Sequence, residues 1–278
     1  MKNTISKKKV FSVGAMLILA FSLIYISFKS QIAESKENTS GTQSNIPTVF
    51  VHGYKGTYNS FKTMLYRFEQ NGWGKKELVV YVSAEGEITW KGALHPDPKL
   101  PPLVQIVFEK NKASIAETST RLQSVMKGLK DKFGVEQVYL VGHSMGGLVS
   151  TNYLESTKSN GEYPKTLKFS VIGSPFDGIS SESYHQVNTG EAIIDLKPDS
   201  DALNSLVKKR ESFPADIEVM AIAGSGDQVV DVDSAFAIQS IVNEESLQKH
   251  LIEDQSIGHS GLHETEKVDK LLKKFLWN

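Results

Sequence analysis

From Ile46 onward, short apolar runs alternate with longer stretches in which apolar residues recur every three or four positions. Runs of the first kind suit buried strands, and stretches of the second kind suit helices laid against a sheet. Their alternation predicts an α/β fold: a mostly parallel sheet with helices packed on both faces. Thr48 to Val51 reads as a buried strand ending at His52-Gly53, and Leu78 to Val82 as the next. Between them Phe61, Met64, Leu65 and Phe68 form a helical stripe that stops near Gly72. Around Glu85-Gly86-Glu87, with Ile88 and Trp90 beyond, a hairpin is expected, then a loop from Pro96 to Pro102 and a strand from Leu103 to Phe108. Ile115, Leu122, Val125, Met126 and Leu129 make a second stripe before the strand Val138 to Val141. Further strands are expected at Leu167 to Ile172 and Val219 to Ala223, and Val268, Leu271, Leu272 and Phe275 mark a closing helix. Between Pro175 and Asp216 the periodicity gives way to Gly178, Gly190, Pro198 and Pro214. A long insertion at such a place is usually functional, and residues 176–216 read as a small lid.

The first part of the chain follows another pattern. Lys2, Lys7, Lys8 and Lys9 precede a charge-free apolar run from Val10 to Phe28, long enough to cross a bilayer as a helix. The exit, Ser27-Phe28-Lys29-Ser30-Gln31, lacks the small-residue pattern of a cleavage site, so an uncleaved signal-anchor is favoured over a cleaved signal peptide. The basic flank then stays in the cytoplasm and the rest of the chain lies outside. Four segments are expected: a basic tail over 1–9, a transmembrane signal-anchor over 10–28, a flexible polar tether over 29–45, and an α/β domain over 46–278.

Composition narrows the function. Of 278 residues 40% are apolar and 23% charged, enough for one sizeable domain. A net charge of -1, with Lys and Glu interspersed, offers no basic field for nucleic acid. The absence of cysteine removes disulfides, thiolate metal sites and a lipid-modified cysteine anchor.

The chemistry centres on Gly142-His143-Ser144-Met145-Gly146, which joins a strand to a helix. Such a turn holds a serine at its tip with the hydroxyl exposed, and its glycines let the two backbones pass closely. A serine hydroxyl needs a histidine to take its proton, and the histidine needs an acid to fix its tautomer. In strand-turn-helix hydrolases the acid follows a later strand and the histidine precedes the last helix. Asp227 and His259 occupy those places, with Asp231 and Asp233 competing for the first and His263 for the second. The oxyanion that forms would be met by the N–H of Met145 and that of Tyr54, in the loop after the first strand. His143 reads as packing beneath the turn, and His95, His185 and His250 as incidental. His259 and His263 stand four apart beside Glu264, yet Gly261 and the lack of a third clustered ligand argue against a metal. No cofactor or metal is required.

On five ordered motifs the chain resembles a family of α/β-hydrolase proteins of Gram-positive bacteria, assigned to the cell surface and of unknown specificity. The motifs are Phe50 to Thr57, Val104 to Asn111, Val141 to Gly147, Gly173-Ser174-Pro175 and His259 to Glu264, within a body from about Pro47 to Trp277. The resemblance implies an α/β-hydrolase fold, a triad mapping onto Ser144, Asp227 and His259, and esterase or lipase-like activity on small or lipid-like esters. The family usually has proline soon after the triad Asp and its two valines, whereas Asp231 follows Val229-Val230 here, so Asp231 stays an alternative to Asp227. The same triad would equally serve a thioesterase, amidase or acyltransferase, and the rival reading from another class is a catalytically silent hydrolase fold acting as a surface binding protein.

Overall fold

The computed structural model describes residues 45–95, 98–158 and 160–278. The expected basic tail, signal-anchor and all of the tether but its last residue lie outside them. Among the described residues no helix is long and apolar enough to cross a membrane.

Eight strands form one sheet in the order β3-β2-β4-β1-β5-β6-β7-β8. They are β1 (Thr48–Val51), β2 (Lys75–Val82), β3 (Ile88–Gly92), β4 (Pro102–Phe108), β5 (Gln137–His143), β6 (Lys165–Ile172), β7 (Glu218–Gly224) and β8 (Leu247–Ile252). β3 pairs antiparallel with β2 through the expected hairpin, and every other pairing is parallel. This is the architecture of α/β hydrolases.

Alternation along β1 shows how the two faces are filled. Val49 and Val51 point into one core and Phe50, between them, into the other, as a pleated strand requires. The first core is closed by α2 (Ile115–Phe133) and α3 (Met145–Thr157), the second by α1 (Asn59–Gln70) and α8 (Glu266–Trp277). In α1 the buried residues are Phe61, Met64, Leu65 and Phe68, the stripe that the spacing predicts. α2 begins where the Ser114 side chain accepts the Glu117 N–H at 3.1 Å and ends at Gly134, whose φ of 65° suits glycine.

Two features differ from the sequence expectations. The insertion contains three short helices, α4 (Glu182–Val187), α5 (Glu191–Asp195) and α6 (Asp201–Lys208), of which α4 buries no residue. The eighth strand, β8, was not anticipated, because Leu-Gln-Lys-His-Leu-Ile has no apolar run and buries only Ile252. At a sheet edge, one flank faces solvent and backbone pairing with β7 suffices. A further short helix, α7 (Val232–Phe236), follows the loop after β7.

Candidate active site

Ser144 stands between β5 and α3 with φ 56° and ψ -132°, a left-handed conformation that a side chain rarely adopts. The turn is held by Ser144 N–H donating to the Ile172 carbonyl at 2.9 Å and Gly147 N–H donating to the Ser144 carbonyl at 3.0 Å. A Cβ at Gly146 would run into the Val51 carbonyl, so only glycine lets α3 pass this close to β1. A Cβ at Gly53 would lie 2.7 Å from the Ser144 Cβ, which places the loop after β1 directly against the serine.

His259 reaches the serine from the loop before α8. Its Nε2 lies 2.9 Å from Ser144 Oγ and its Nδ1 2.7 Å from Asp227 Oδ2. A carboxylate only accepts, so Nδ1 carries the hydrogen and Nε2 is left to take the serine proton. The Asp227 side chain is 1% exposed, and its Oδ1 accepts the N–H groups of Val229 at 2.9 Å and Val230 at 3.0 Å. Those two bonds fix the carboxylate in its turn. Asp231 faces elsewhere, accepting the Ser180 hydroxyl of the insertion at 2.7 Å. His263 is turned toward Glu264, with Nδ1 3.2 Å from its Oε1. His259 and His263 therefore point to different partners.

Met145 follows the serine and opens α3, and Tyr54 follows Gly53, the residue placed against the serine. Among the described residues neither backbone N–H has a backbone acceptor. The Tyr54 side chain meets the insertion, its hydroxyl donating to the Thr189 carbonyl at 2.7 Å and accepting the Thr189 N–H at 3.0 Å. Beside it Lys55 Nζ donates to Asn188 Oδ1 at 2.6 Å.

Two buried histidines carry more of the site than their sequence positions indicated. His52 Nδ1 donates to the Gly53 carbonyl at 2.9 Å while Nε2 accepts the Phe108 N–H, so both nitrogens hold the loop after β1. Burial lowers its pKa to about 4, with the Gly53 bond acting the other way, so it is neutral near pH 7. His143, buried at the end of β5, is held well below the usual histidine range by burial and then by the neighbouring His259 and His263. A histidine directly after the first strand, or inside the serine turn, is the only sequence signal for either role. A cavity of about 420 Å³ opens beside the same loop, lined by Gly56, Thr57, Tyr81 and Phe108 among others, but none of Ser144, Asp227 and His259 lines it.

No curated protein matches the chain in sequence. Among solved structures it is similar to the lin2722 gene product of Listeria innocua, at 26% identity and a TM-score of 0.71, covering 84% of this chain and 94% of that one. A protein of Lactobacillus plantarum assigned as a cell surface hydrolase is similar at 19% identity and a TM-score of 0.65, covering 83% and 91%. The lipase BlEst2 of Bacillus licheniformis is similar at 15% identity and a TM-score of 0.51, covering 84% and 92%. At these last two identities the likeness concerns the fold alone. The family described as alpha/beta hydrolases of unknown function (DUF915) matches residues 35–278, and the chain belongs to it.

Proposed function

We propose that the chain is a serine hydrolase of carboxylic esters in which Ser144, His259 and Asp227 act as nucleophile, general base and orienting acid. The observation that carries this is the pair of contacts made by one imidazole, 2.9 Å to Ser144 Oγ and 2.7 Å to Asp227 Oδ2. Ser144 Oγ attacks the ester carbonyl carbon as His259 Nε2 takes its proton. The oxyanion is met by the N–H groups of Tyr54 and Met145. Collapse breaks the bond to the alcohol, which leaves with the proton from His259. Water then attacks the acyl-enzyme, giving one proton to His259, and the carboxylic acid departs as Ser144 recovers its hydrogen. Residues 176–216 act as the lid, a role supported by the Tyr54 and Lys55 contacts to Thr189 and Asn188. A lipid-like acyl group is supported by Val187 and Ile194, which are 76% and 67% exposed on the insertion.

The domain is proposed to work outside the cytoplasm, anchored by residues 10–28. The charge-free run after a lysine cluster supports this, as does the cell-surface assignment of the Lactobacillus plantarum protein. The test is a fluorophosphonate probe with a panel of p-nitrophenyl esters of increasing chain length. Labelling and turnover in the wild type, both lost in Ser144→Ala, are expected. A folded wild type that neither labels nor turns over any ester would overturn the enzyme reading in favour of a binding protein.

A further inference from the structure

Ser144 and the residue before it both touch His259, at opposite ends of that residue. Ser144 Oγ meets the imidazole Nε2 at 2.9 Å, and His143 Nε2 lies 3.2 Å from the His259 backbone carbonyl. A carbonyl only accepts, so His143 carries its hydrogen on Nε2. The two rings also stack, with centroids 4.8 Å apart and planes tilted by 40°. On its other side His143 meets the His263 ring at 4.5 Å, nearly perpendicular at 83°.

We propose that His143 is a positioning residue that sets the distance between the proposed base His259 and the proposed nucleophile Ser144. The inference rests on the assignment of Ser144, Asp227 and His259 given above. His259 sits outside the sheet, between β8 and α8, where its carbonyl accepts the Leu262 N–H only at 3.4 Å. Consecutive residues at the end of β5 add two contacts to it, the serine at the ring and His143 at the main chain. Because residues 143 and 144 are adjacent in the chain, a single peptide unit links the nucleophile to the side chain that contacts the main chain of the base. That matters because reacting groups displaced by about 1 Å lose about a hundredfold in rate.

The chemistry of the gripping side chain also fits. The base becomes an imidazolium during the reaction, and a charged group stacked on it would oppose that. An imidazole offers a donor and a flat face of matching size, and burial keeps it uncharged. Behind it, Arg67 Nη2 donates to the His263 carbonyl at 3.1 Å and pairs with Asp269, so the stack backs onto α1 and α8.

The test compares His143→Phe, which keeps a ring but loses the donor, with His143→Gln, which keeps a donor. Thermal unfolding establishes that each variant is folded. With p-nitrophenyl acetate, His143→Phe is expected to lose about tenfold or more in kcat with KM changed by less than about twofold. His143→Gln is expected to recover a substantial part of that loss. A folded His143→Phe with wild-type kcat, or a His143→Gln no better than His143→Phe, would overturn the proposal. A second measurement does not depend on turnover: long-range proton–nitrogen NMR of the wild-type imidazoles. Hydrogen on Nε2 of His143, with the ring neutral across the range in which free histidine titrates, is expected. Hydrogen on Nδ1 would overturn the proposal even in a protein with no esterase activity, whereas inactivity with the expected tautomer removes only the enzymatic reading.

Discussion

His52 accepts the backbone N–H of Phe108 on its ring Nε2 at 3.0 Å, tying the exit of β1 to the last residue of β4. Its other nitrogen bonds to the Gly53 carbonyl, so one neutral side chain holds the loop in which Gly53 lies against Ser144 and Tyr54 follows.

His52→Leu is therefore expected to slow ester turnover by about tenfold to a hundredfold, because it frees a proposed oxyanion donor without deleting it. It also leaves the Phe108 N–H unpaired, at a cost of about 1 to 3 kcal/mol in stability. Steady-state kinetics and urea unfolding measure the two effects separately. The wild type should lose stability as the pH falls from 6.5 to about 4, since the unfolded histidine takes up a proton there and the folded one does not. In His52→Leu that component is absent.

Asp227→Asn is expected to lower kcat by about a thousandfold or more, since an amide can present a hydrogen to Nδ1 and favour the wrong tautomer. Asp231→Asn should stay within about threefold, because Asp231 bonds to Ser180 and not to His259. Comparable losses in both variants, measured with the same ester, would remove the assignment of Asp227.

Arg67 holds Asp269 through Nε at 2.5 Å and Nη2 at 3.0 Å, with the Asp269 side chain 1% exposed. Arg67→Ala strands a buried carboxylate and is expected to cost about 3 to 5 kcal/mol in urea unfolding. Arg67→Met combined with Asp269→Leu should recover most of that loss, because the buried charge goes with its partner.

Glu155 lies on α3, 4% exposed, and both carboxylate oxygens lack a hydrogen-bond partner among the described residues. Burial pushes its pKa up to about 8, with Lys209 acting weakly the other way. The folded state then holds a proton that the unfolded state has released, so stability falls as pH rises from 4.5 to about 8. Glu155→Gln should raise the urea midpoint more at about pH 8 than at about pH 5. An equal change at both would show that the carboxyl is not protonated in the native protein.

Much of the architecture was legible from spacing. The apolar runs of β1, β4, β5, β6 and β7 and the stripes of α1, α2 and α8 each carry their period within one segment. β8 was not legible, because an edge strand needs no apolar run, and the helices of the insertion are too short to show a period. Nor could spacing separate Asp227 from Asp231. They share one loop and one chemistry, and the difference lies in the turn that aims Asp227 Oδ1 at two N–H groups and leaves Oδ2 for His259.

Chain order alone thus settled that a serine stands at a strand-to-helix turn, with acids and then histidines placed later. Local backbone geometry depends on neighbouring residues, and these carry it plainly. Which acid meets which histidine, and that His52 and His143 hold the parts in place, arose only when residues 32 to 116 positions apart were packed together. Contacts of that kind depend on the direction of each side chain after the sheet has closed, and no local pattern encodes that direction.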